Sequence, residues 1–213
     1  LNPWNLVLGV AVLFLARVTG LLYFINNIDD SVLQAKARKS LPLNAIIFVV
    51  LFVAYVVKLI TMTGLRYSPS ALDPGVGSFV QEPFLYWHNL LQMPIVLIIF
   101  LVGVLLVLLG IGLTIFKKNF RKGVWIEGVG VVLAVLAMLL LAGWNNTAYY
   151  PSLADAQSSL SIKNSSSSFY TLRAMSYVSI LIPFVLAYIW FAWKSIDSKK
   201  ITRKEIESSE HTY

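Results

Sequence analysis

Cysteine is absent from this sequence, and histidine occurs only at His88 and His211. Without cysteine the chain forms no disulfide, carries no thiolate nucleophile and holds neither an Fe–S cluster nor a thioether-linked haem. Two histidines argue against a multi-histidine metal site within the chain. Charge is also scarce: charged residues make up 13% of the chain, against roughly 25% in soluble domains. Water is therefore not the only solvent of this protein.

Long apolar runs replace the missing charge. Hydrophobic residues make up 58% of the chain, and the mean hydropathy is +0.75. A helix crosses a bilayer core of roughly 30 Å with about 20 apolar residues, and in lipid its backbone amides must bond within the segment. The sequence therefore predicts an all-α integral membrane protein. Its five transmembrane helices are expected at about residues 4–26, 42–63, 94–116, 123–147 and 171–194.

Basic residues are clustered between and after these spans, and they predict the topology. Three clusters hold 12 of the 17 lysine and arginine residues. They are Lys36, Arg38 and Lys39 after the first span, Lys117, Lys118, Arg121 and Lys122 after the third, and Lys194, Lys199, Lys200, Arg203 and Lys204 after the fifth. Because basic residues near span ends stay in the cytoplasm, we expect a cytoplasmic C-terminus in a multi-pass protein. The net charge of +7 then indicates contact with anionic lipid rather than with nucleic acid.

The segments between the spans complete the predicted organisation. We expect a cytoplasmic loop at 28–41, outer loops at 64–93 and 148–170, and a cytoplasmic tail at 196–213. The aromatic stretch "EPFLYWHNLLQM" in the first outer loop is typical of a short interfacial helix, whereas the part before it is rich in Gly, Pro and Ser and predicts a loop. The chain enters an apolar run at once, without an initiator Met, so we interpret it as the C-terminal part of something longer.

Arg17 lies near the middle of the first span. A charge there costs about 2.5–3.5 kcal/mol on insertion scales, so the guanidinium is expected to find an anion. Glu127, just inside the cytoplasmic end of the fourth span, is the nearest acid by this topology. A group on another subunit or on an anionic cofactor is the alternative, and snorkelling toward the headgroups is the simpler one.

Other polar residues are weaker candidates for a cofactor site. His88 is a candidate for ligating haem or binding a quinone carbonyl, although a lone interfacial histidine commonly has no such role. Lys58 lies close enough to the outer end of its span to snorkel. Ser167 or Ser168 is expected to cap the amino end of the fifth span, where a polar ligand head is the alternative occupant.

Glycine and proline inside the spans predict packing and a kink. The glycines of the third and fourth spans would let two helices approach closely; they are Gly103, Gly110, Gly112, Gly128 and Gly130. Pro183 leaves the carbonyl of Ser179 without its helical donor, so we expect a kink or a bound partner there.

Several stretches together resemble one protein family. They are "NPW" entering the first span, "NNTAYYPS" leaving the fourth, and the run from Ser159 through Trp193. Within that run Asn164 to Ser168 precede Thr171, Leu172 and Met175, Pro183 lies mid-helix, and Tyr188 to Lys194 form an aromatic and basic end. In order and spacing these features resemble subunit II of the cytochrome bd ubiquinol oxidases, and the tail "KKITRKEIESSEHTY" is similar to that family's C-terminus.

The resemblance implies a function that composition does not reveal. Such complexes oxidise quinol at the bacterial cytoplasmic membrane and reduce dioxygen to water, and subunit I ligates haem b and haem d. Subunit II has two four-helix bundles, so residues 1–27 would be the last helix of the first bundle and 42–195 the whole second one. No catalytic group or metal ligand is expected in this chain. Arg17, His88 and Ser167 remain the weak cofactor-binding candidates.

Two other functions stay open at this stage. A membrane transporter or channel module also uses helical bundles with polar residues at mid-membrane, although these spans lack paired acids. A purely structural assembly subunit differs little from the oxidase subunit, because activity in both cases needs a partner.

Overall fold

The computed structural model describes residues 2–70, 77–196 and the backbone of 201–202. Helices dominate this part of the chain: α1 Pro3–Asn27, α2 Ser31–Thr61, α3 Leu85–Gln92, α4 Pro94–Phe116, α5 Gly123–Gly143, α6 Ile162–Ser165, α7 Phe169–Ser179 and α8 Ile182–Ile196. The strands are short: β1 Ile28–Asp29, β2 Gly64–Pro69, β3 Gly77–Glu82, β4 Ala148–Tyr150, β5 Leu160–Ser161 and β6 Ile201–Thr202. Five segments are long and apolar enough to cross a membrane: α1, α2, α4, α5 and the pair α7–α8. The prediction of an all-α membrane protein with five spans is confirmed.

The boundaries of the spans agree closely, with one exception. The third predicted span, 94–116, coincides with α4, whereas α2 begins eleven residues before the predicted start at 42. The side chain of Asp30 caps this helix by accepting a hydrogen bond from Leu33 N at 2.8 Å. Pro42 lies inside the helix instead of opening it. Most of the segment 28–41, predicted as a cytoplasmic loop, is therefore the first part of α2.

The fifth span is broken where its proline predicts a kink. Helix α7 ends at Ser179, and the next two amides bond three residues back, from Ile180 N to Tyr177 O at 3.2 Å and from Leu181 N to Val178 O at 3.0 Å. Helix α8 then begins at Ile182, with Pro183 in its first turn. A proline is tolerated in that position because the first-turn amides have no helical acceptor.

Helices α4 and α5 form the closest helix pair. A Cβ atom at Gly103 would lie 2.6 Å from Ala134 N, and one at Gly130 would lie 2.6 Å from Val107 N. At Gly110 it would lie 2.7 Å from Glu127 N. These three glycines let two backbones touch, as small residues do in membrane helix pairs. Gly112 and Gly128 face open space, so the predicted packing role does not extend to them.

Helix α1 belongs to the same packed group. Val18, Leu22 and Ile25 are completely buried at helical spacing. They join a core cluster with Leu41 and Phe48 of α2 and with two residues of α4, Val107 and Ile111. By contrast, every residue of α7 and α8 is exposed except Ala192, which is half-buried.

The division of the spans into two bundles, which the resemblance implies, stays a prediction. The resemblance set residues 1–27 apart from a bundle at 42–195, but in the described chain α1 packs with α2, α4 and α5, while the fifth span stands outside. The apolar stripe on α1 favours the observed partners, and hydropathy alone cannot rank one apolar partner against another.

One end of the bundle gathers the three basic segments. Strands β1 and β6 pair in parallel, Ile28 with Ile201 and Asp29 with Thr202. Arg121 forms an ion pair with Asp29 at 3.2 Å. The guanidinium of Arg38 donates to Thr114 O at 2.6 Å and to Phe120 O at 2.8 Å. The segments around 28–38, 114–122 and 201–202 thus share one side, as the predicted topology requires.

The opposite end carries a small folded cap. The short helix predicted here is present as α3. The segment before it, predicted as a loop, instead contains the antiparallel hairpin β2–β3, in register from Gly64 opposite Glu82 to Pro69 opposite Gly77. Strands β4 and β5 form a second antiparallel pair. Tyr67 and Phe79 of the hairpin pack edge to face with ring centroids 5.4 Å apart.

Replacing Gly103 by alanine tests the close approach of α4 and α5. The added methyl group would meet backbone atoms that cannot rotate away, so we expect a loss of about 1–3 kcal/mol, typical of overpacking, and a lower melting temperature in detergent. Gly112→Ala is the matched control, because its Cβ enters open space and alanine favours a helix. Equal melting temperatures for the two variants would contradict this account of the helix pair.

Candidate functional site

A polar network around Arg66 lies at the end of the bundle that carries the cap. From β2 the guanidinium donates to both carboxylate oxygens of Glu82, at 2.5 and 3.3 Å. It also donates to Asn89 Oδ1 at 3.2 Å and to Asn145 O at 3.3 Å. Arg66 therefore joins the hairpin to α3 and to the turn after α5.

Asn89 is the buried centre of this network. Its side chain is completely inaccessible, and its amide nitrogen donates to Thr147 Oγ1 at 2.6 Å. Its oxygen accepts from Arg66 and, at 3.0 Å, from Asn145 Nδ2. Asn145 also donates to the exposed Gln92 at 2.6 Å. The network fixes the cap to the end of α5 through a continuous set of hydrogen bonds.

The "NNT" stretch shapes this turn through its backbone. Asn145 and Asn146 have positive φ values of 55° and 59°, a conformation that asparagine tolerates better than most residues. The carbonyl of Asn146 accepts from Tyr67 N at 2.7 Å. The backbones of Arg66 and Thr147 pair in an isolated antiparallel β-bridge. Sequence reasoning missed this network; the only available signal was the turn-forming pair of asparagines directly after an apolar run.

His88, a candidate for haem or quinone, belongs to the same network. Its Nδ1 lies 2.8 Å from Glu82 Oε1, and its side chain is 46% exposed. The hydrogen bond from Arg66 lowers the pKa of Glu82 below its ordinary value of 4.5, with His88 adding to the effect against the opposing effect of burial. Glu82 thus serves as a shared anion for two basic groups at the surface.

Glu127 is the buried ionisable group of the spans. It lies on α5 and is completely inaccessible. Gly110 of α4 packs so closely against it that a Cβ added to this glycine would lie 2.7 Å from Glu127 N. Its Oε1 lies 2.8 Å from Thr19 Oγ1 of α1. Its Oε2 has no hydrogen-bond partner among the described residues. A polar atom without a partner in this environment is expensive.

The predicted pairing of Arg17 with Glu127 is wrong. Thr19 contacts the glutamate, and Arg17 lies two positions earlier, about 200° away around a helix with 3.6 residues per turn. Its side chain is exposed, with the guanidinium carbon 5.7 Å from the centre of the Phe14 ring. This exposure leaves two interpretations of Arg17: snorkelling toward the headgroups, and pairing with an anion on another subunit or on a cofactor.

Lys58 lies beside an aromatic ring near the end of its span. Its ammonium lies 5.9 Å from the centre of the Trp4 ring, close to the amino end of α1. A cation over an interfacial aromatic ring is a stable arrangement for a residue that snorkels toward the headgroups.

The serine run forms helix caps. Ser168 is the N-cap of α7, and its Oγ accepts from Thr171 N at 3.4 Å. Ser165 Oγ bonds to Ser161 O at 2.5 Å and lies 2.9 Å from Tyr149 Oη. Ser167, the other cap candidate, is exposed in the link between α6 and α7. The hydroxyls thus hold local structure, and the cap is at the second of the two predicted positions.

A groove of about 680 Å³ separates α8 from α1 and α5. Its polar wall is formed by Thr19, Tyr23 and Asn26 of α1. Tryptophans from the other two helices, Trp125, Trp190 and Trp193, also line it. The structure thus brings three tryptophan rings from two helices to one groove.

Replacing Asn89 by alanine tests the cap network. The change leaves Arg66, Asn145 and Thr147 without a shared partner, so we expect a loss of about 1–3 kcal/mol, typical of buried groups left without a hydrogen bond. Thermal unfolding of the purified protein measures it. Gln92→Ala is the control, because that exposed side chain bonds Asn145 alone among the residues that the structure describes. A larger effect at Gln92 than at Asn89 would contradict the assignment of Asn89 as the centre.

The ion pair of Glu82 predicts a pH dependence. Because the folded-state pKa is lowered, the pair stabilises the cap above the unfolded value near 4.5, and the contribution disappears as the pH falls through the folded value. The difference in melting temperature between the wild type and Glu82→Gln should therefore be largest near neutral pH and shrink below about pH 4.5. A difference that stays constant with pH would show that the carboxylate charge is irrelevant to the cap.

Comparison with known families agrees with the topology and with the motifs. The model of the family described as cytochrome bd terminal oxidase subunit II matches residues 1–196. Comparison with curated proteins gives no significant match. The matched region holds all five spans, the end of the bundle that carries the cap, and the buried Glu127. The chain therefore belongs to the cytochrome bd terminal oxidase subunit II family.

Proposed function

We propose that this chain is the subunit that does not ligate haem in a quinol:oxygen oxidoreductase of the bacterial cytoplasmic membrane. Family membership supports a role in a bd-type oxidase and a complex with other oxidase subunits. We further propose that its partner is a haem-bearing subunit I and that its C-terminus lies in the cytoplasm. Two quinols reduce one dioxygen to two waters in such a reaction, so that protons released on quinol oxidation balance those consumed.

The surroundings of His88 support the assignment of haem ligation to the partner subunit. Haem iron in proteins is held by side chains such as histidine, cysteine or methionine, and the sequence contains two histidines and no cysteine. His211 lies outside the described residues. The ring of His88 is half-exposed and hydrogen-bonded to Glu82 in a polar cap. This environment does not fit a haem pocket, so we assign haem b and haem d to the partner subunit.

The contribution of this chain is then structural and electrostatic. Its spans present large apolar side chains outward, most densely along the fifth span. Such a surface suits contact with lipid, with quinol or with the apolar face of another subunit. No catalytic group or metal ligand is assigned to this chain.

The gathering of the three basic segments at one end supports the orientation. Positive residues near span ends are retained in the cytoplasm, and Arg121, Arg38 and the strand pair β1–β6 lie at the same end of the bundle. The cap, which consists of α3 and the strand pairs β2–β3 and β4–β5, would then face the periplasm.

The complex with His88→Gln tests the division of labour. Glutamine keeps a hydrogen-bonding group toward Glu82 but is not expected to replace an axial histidine, so the b-type and d-type absorption bands should keep their wild-type intensities per complex. Loss of one band would identify His88 as a ligand and contradict the proposal. A purified wild-type complex without any haem would favour the alternative, a transporter or channel module.

A further inference from the structure

The hydrogen bonds of Thr19 indicate the protonation state of Glu127. Thr19 Oγ1 lies 3.1 Å from Leu15 O and 2.8 Å from Glu127 Oε1. A hydroxyl has one proton and two acceptor lone pairs. If it donates to the backbone carbonyl, the carboxyl group must donate to the hydroxyl. A neutral carboxylic acid satisfies both contacts fully, whereas a carboxylate would compete with Leu15 O for one proton.

The surroundings of Glu127 offer little to a negative charge. Among the described residues no cation lies within ion-pair distance of it, and its Oε2 has no hydrogen-bond partner. Arg38, at the same end of the bundle, directs its donors at the carbonyls of Thr114 and Phe120. An unpaired buried carboxylate is strongly disfavoured. Both observations favour the protonated acid.

A polar track leads from this acid toward the end of the bundle. Thr19, Tyr23 and Asn26 follow one another at helical spacing on α1 and line the groove beside α5 and α8. Most of the lining of this groove is apolar, and Thr19, Tyr23 and Asn26 form a polar strip along one wall. Its volume of about 680 Å³ exceeds the ~30 Å³ share of a water molecule many times, so water along this strip has room. Asn26 is the penultimate residue of α1, close to the Asp29–Arg121 ion pair that marks the end with the basic clusters.

We propose that Glu127 is a proton-binding site that exchanges with water of this groove through Thr19. A hydronium ion in the groove gives a proton to the hydroxyl oxygen of Thr19 and leaves as water, while Thr19 passes its own hydroxyl proton to the carboxylate to form the acid. The reverse transfers release the proton. Nothing is oxidised or reduced. Naming the open end cytoplasmic rests on the proposed topology, but the site itself does not depend on it.

Infrared spectroscopy of the purified complex tests the protonation state. The difference spectrum between the wild type and Glu127→Gln should contain the carbonyl stretch of a protonated carboxyl group. In Thr19→Val the acid loses its acceptor, so this band should move to higher frequency. Glu82→Gln is the control: it should remove a carboxylate band, because Glu82 is ionised beside Arg66. A carboxylate band for Glu127, or an unmoved band in Thr19→Val, would overturn the proposal.

Transfer into D₂O tests access to the groove. The carbonyl band should shift to lower frequency as deuterium replaces the proton, and Gly128→Leu should slow this shift severalfold by filling the groove that Gly128 lines. Gly112→Leu is the matched control, since Gly112 also faces open space but does not line the groove. A band that never shifts, or equal rates in both variants, would overturn the exchange step. Haem bands serve only to verify assembly, so failure here and failure of the oxidase assignment are distinguishable.

Discussion

Lipid offers the backbone no hydrogen-bonding partner, and the rest of this structure depends on that constraint. It requires a helix for each apolar run, and it removes the hydrophobic effect as a reason for helices to associate. Packing must then come from close contact, which α4 and α5 achieve by placing Gly103, Gly110 and Gly130 where any Cβ would meet backbone. The large side chains of these helices can accordingly point outward.

Because of the same constraint, polar contacts are concentrated at the two ends of the bundle. At each end an arginine donates hydrogen bonds to backbone carbonyls. The last carbonyls of a membrane helix have no helical donor. Arg38 reaches the carbonyl of Thr114 in the final turn of α4, and Arg66 reaches that of Asn145 just beyond α5. A guanidinium has five donors in a fixed plane, so one side chain satisfies orphan carbonyls and joins segments that are distant in sequence.

Hydropathy was sufficient for the spans, and charge was sufficient for their common sides. Both signals are local, because length and composition decide whether a helix crosses a bilayer. The roles of one proline and one serine were also predictable from the sequence. Pro183 accompanies the break after α7, and Ser168 caps that helix. By contrast, the hairpin β2–β3 was missed because a segment rich in Gly, Pro and Ser has no strand signal strong enough to stand alone. The Asn89 network was missed because it joins residues 23 to 58 positions apart.

The predicted pairing of Arg17 with Glu127 was wrong for a geometric reason. Arg17 and Glu127 are opposite charges at plausible depths, yet Thr19 presents the face of α1 that meets the glutamate, and the arginine points away. The two residues then illustrate two solutions to the same desolvation problem. A long arginine side chain can carry its charge along the helix surface toward the headgroups. Glutamate on a glycine-lined helix contact is too short and too enclosed for that, so the remaining way to avoid a bare charge in the bilayer is to hold a proton.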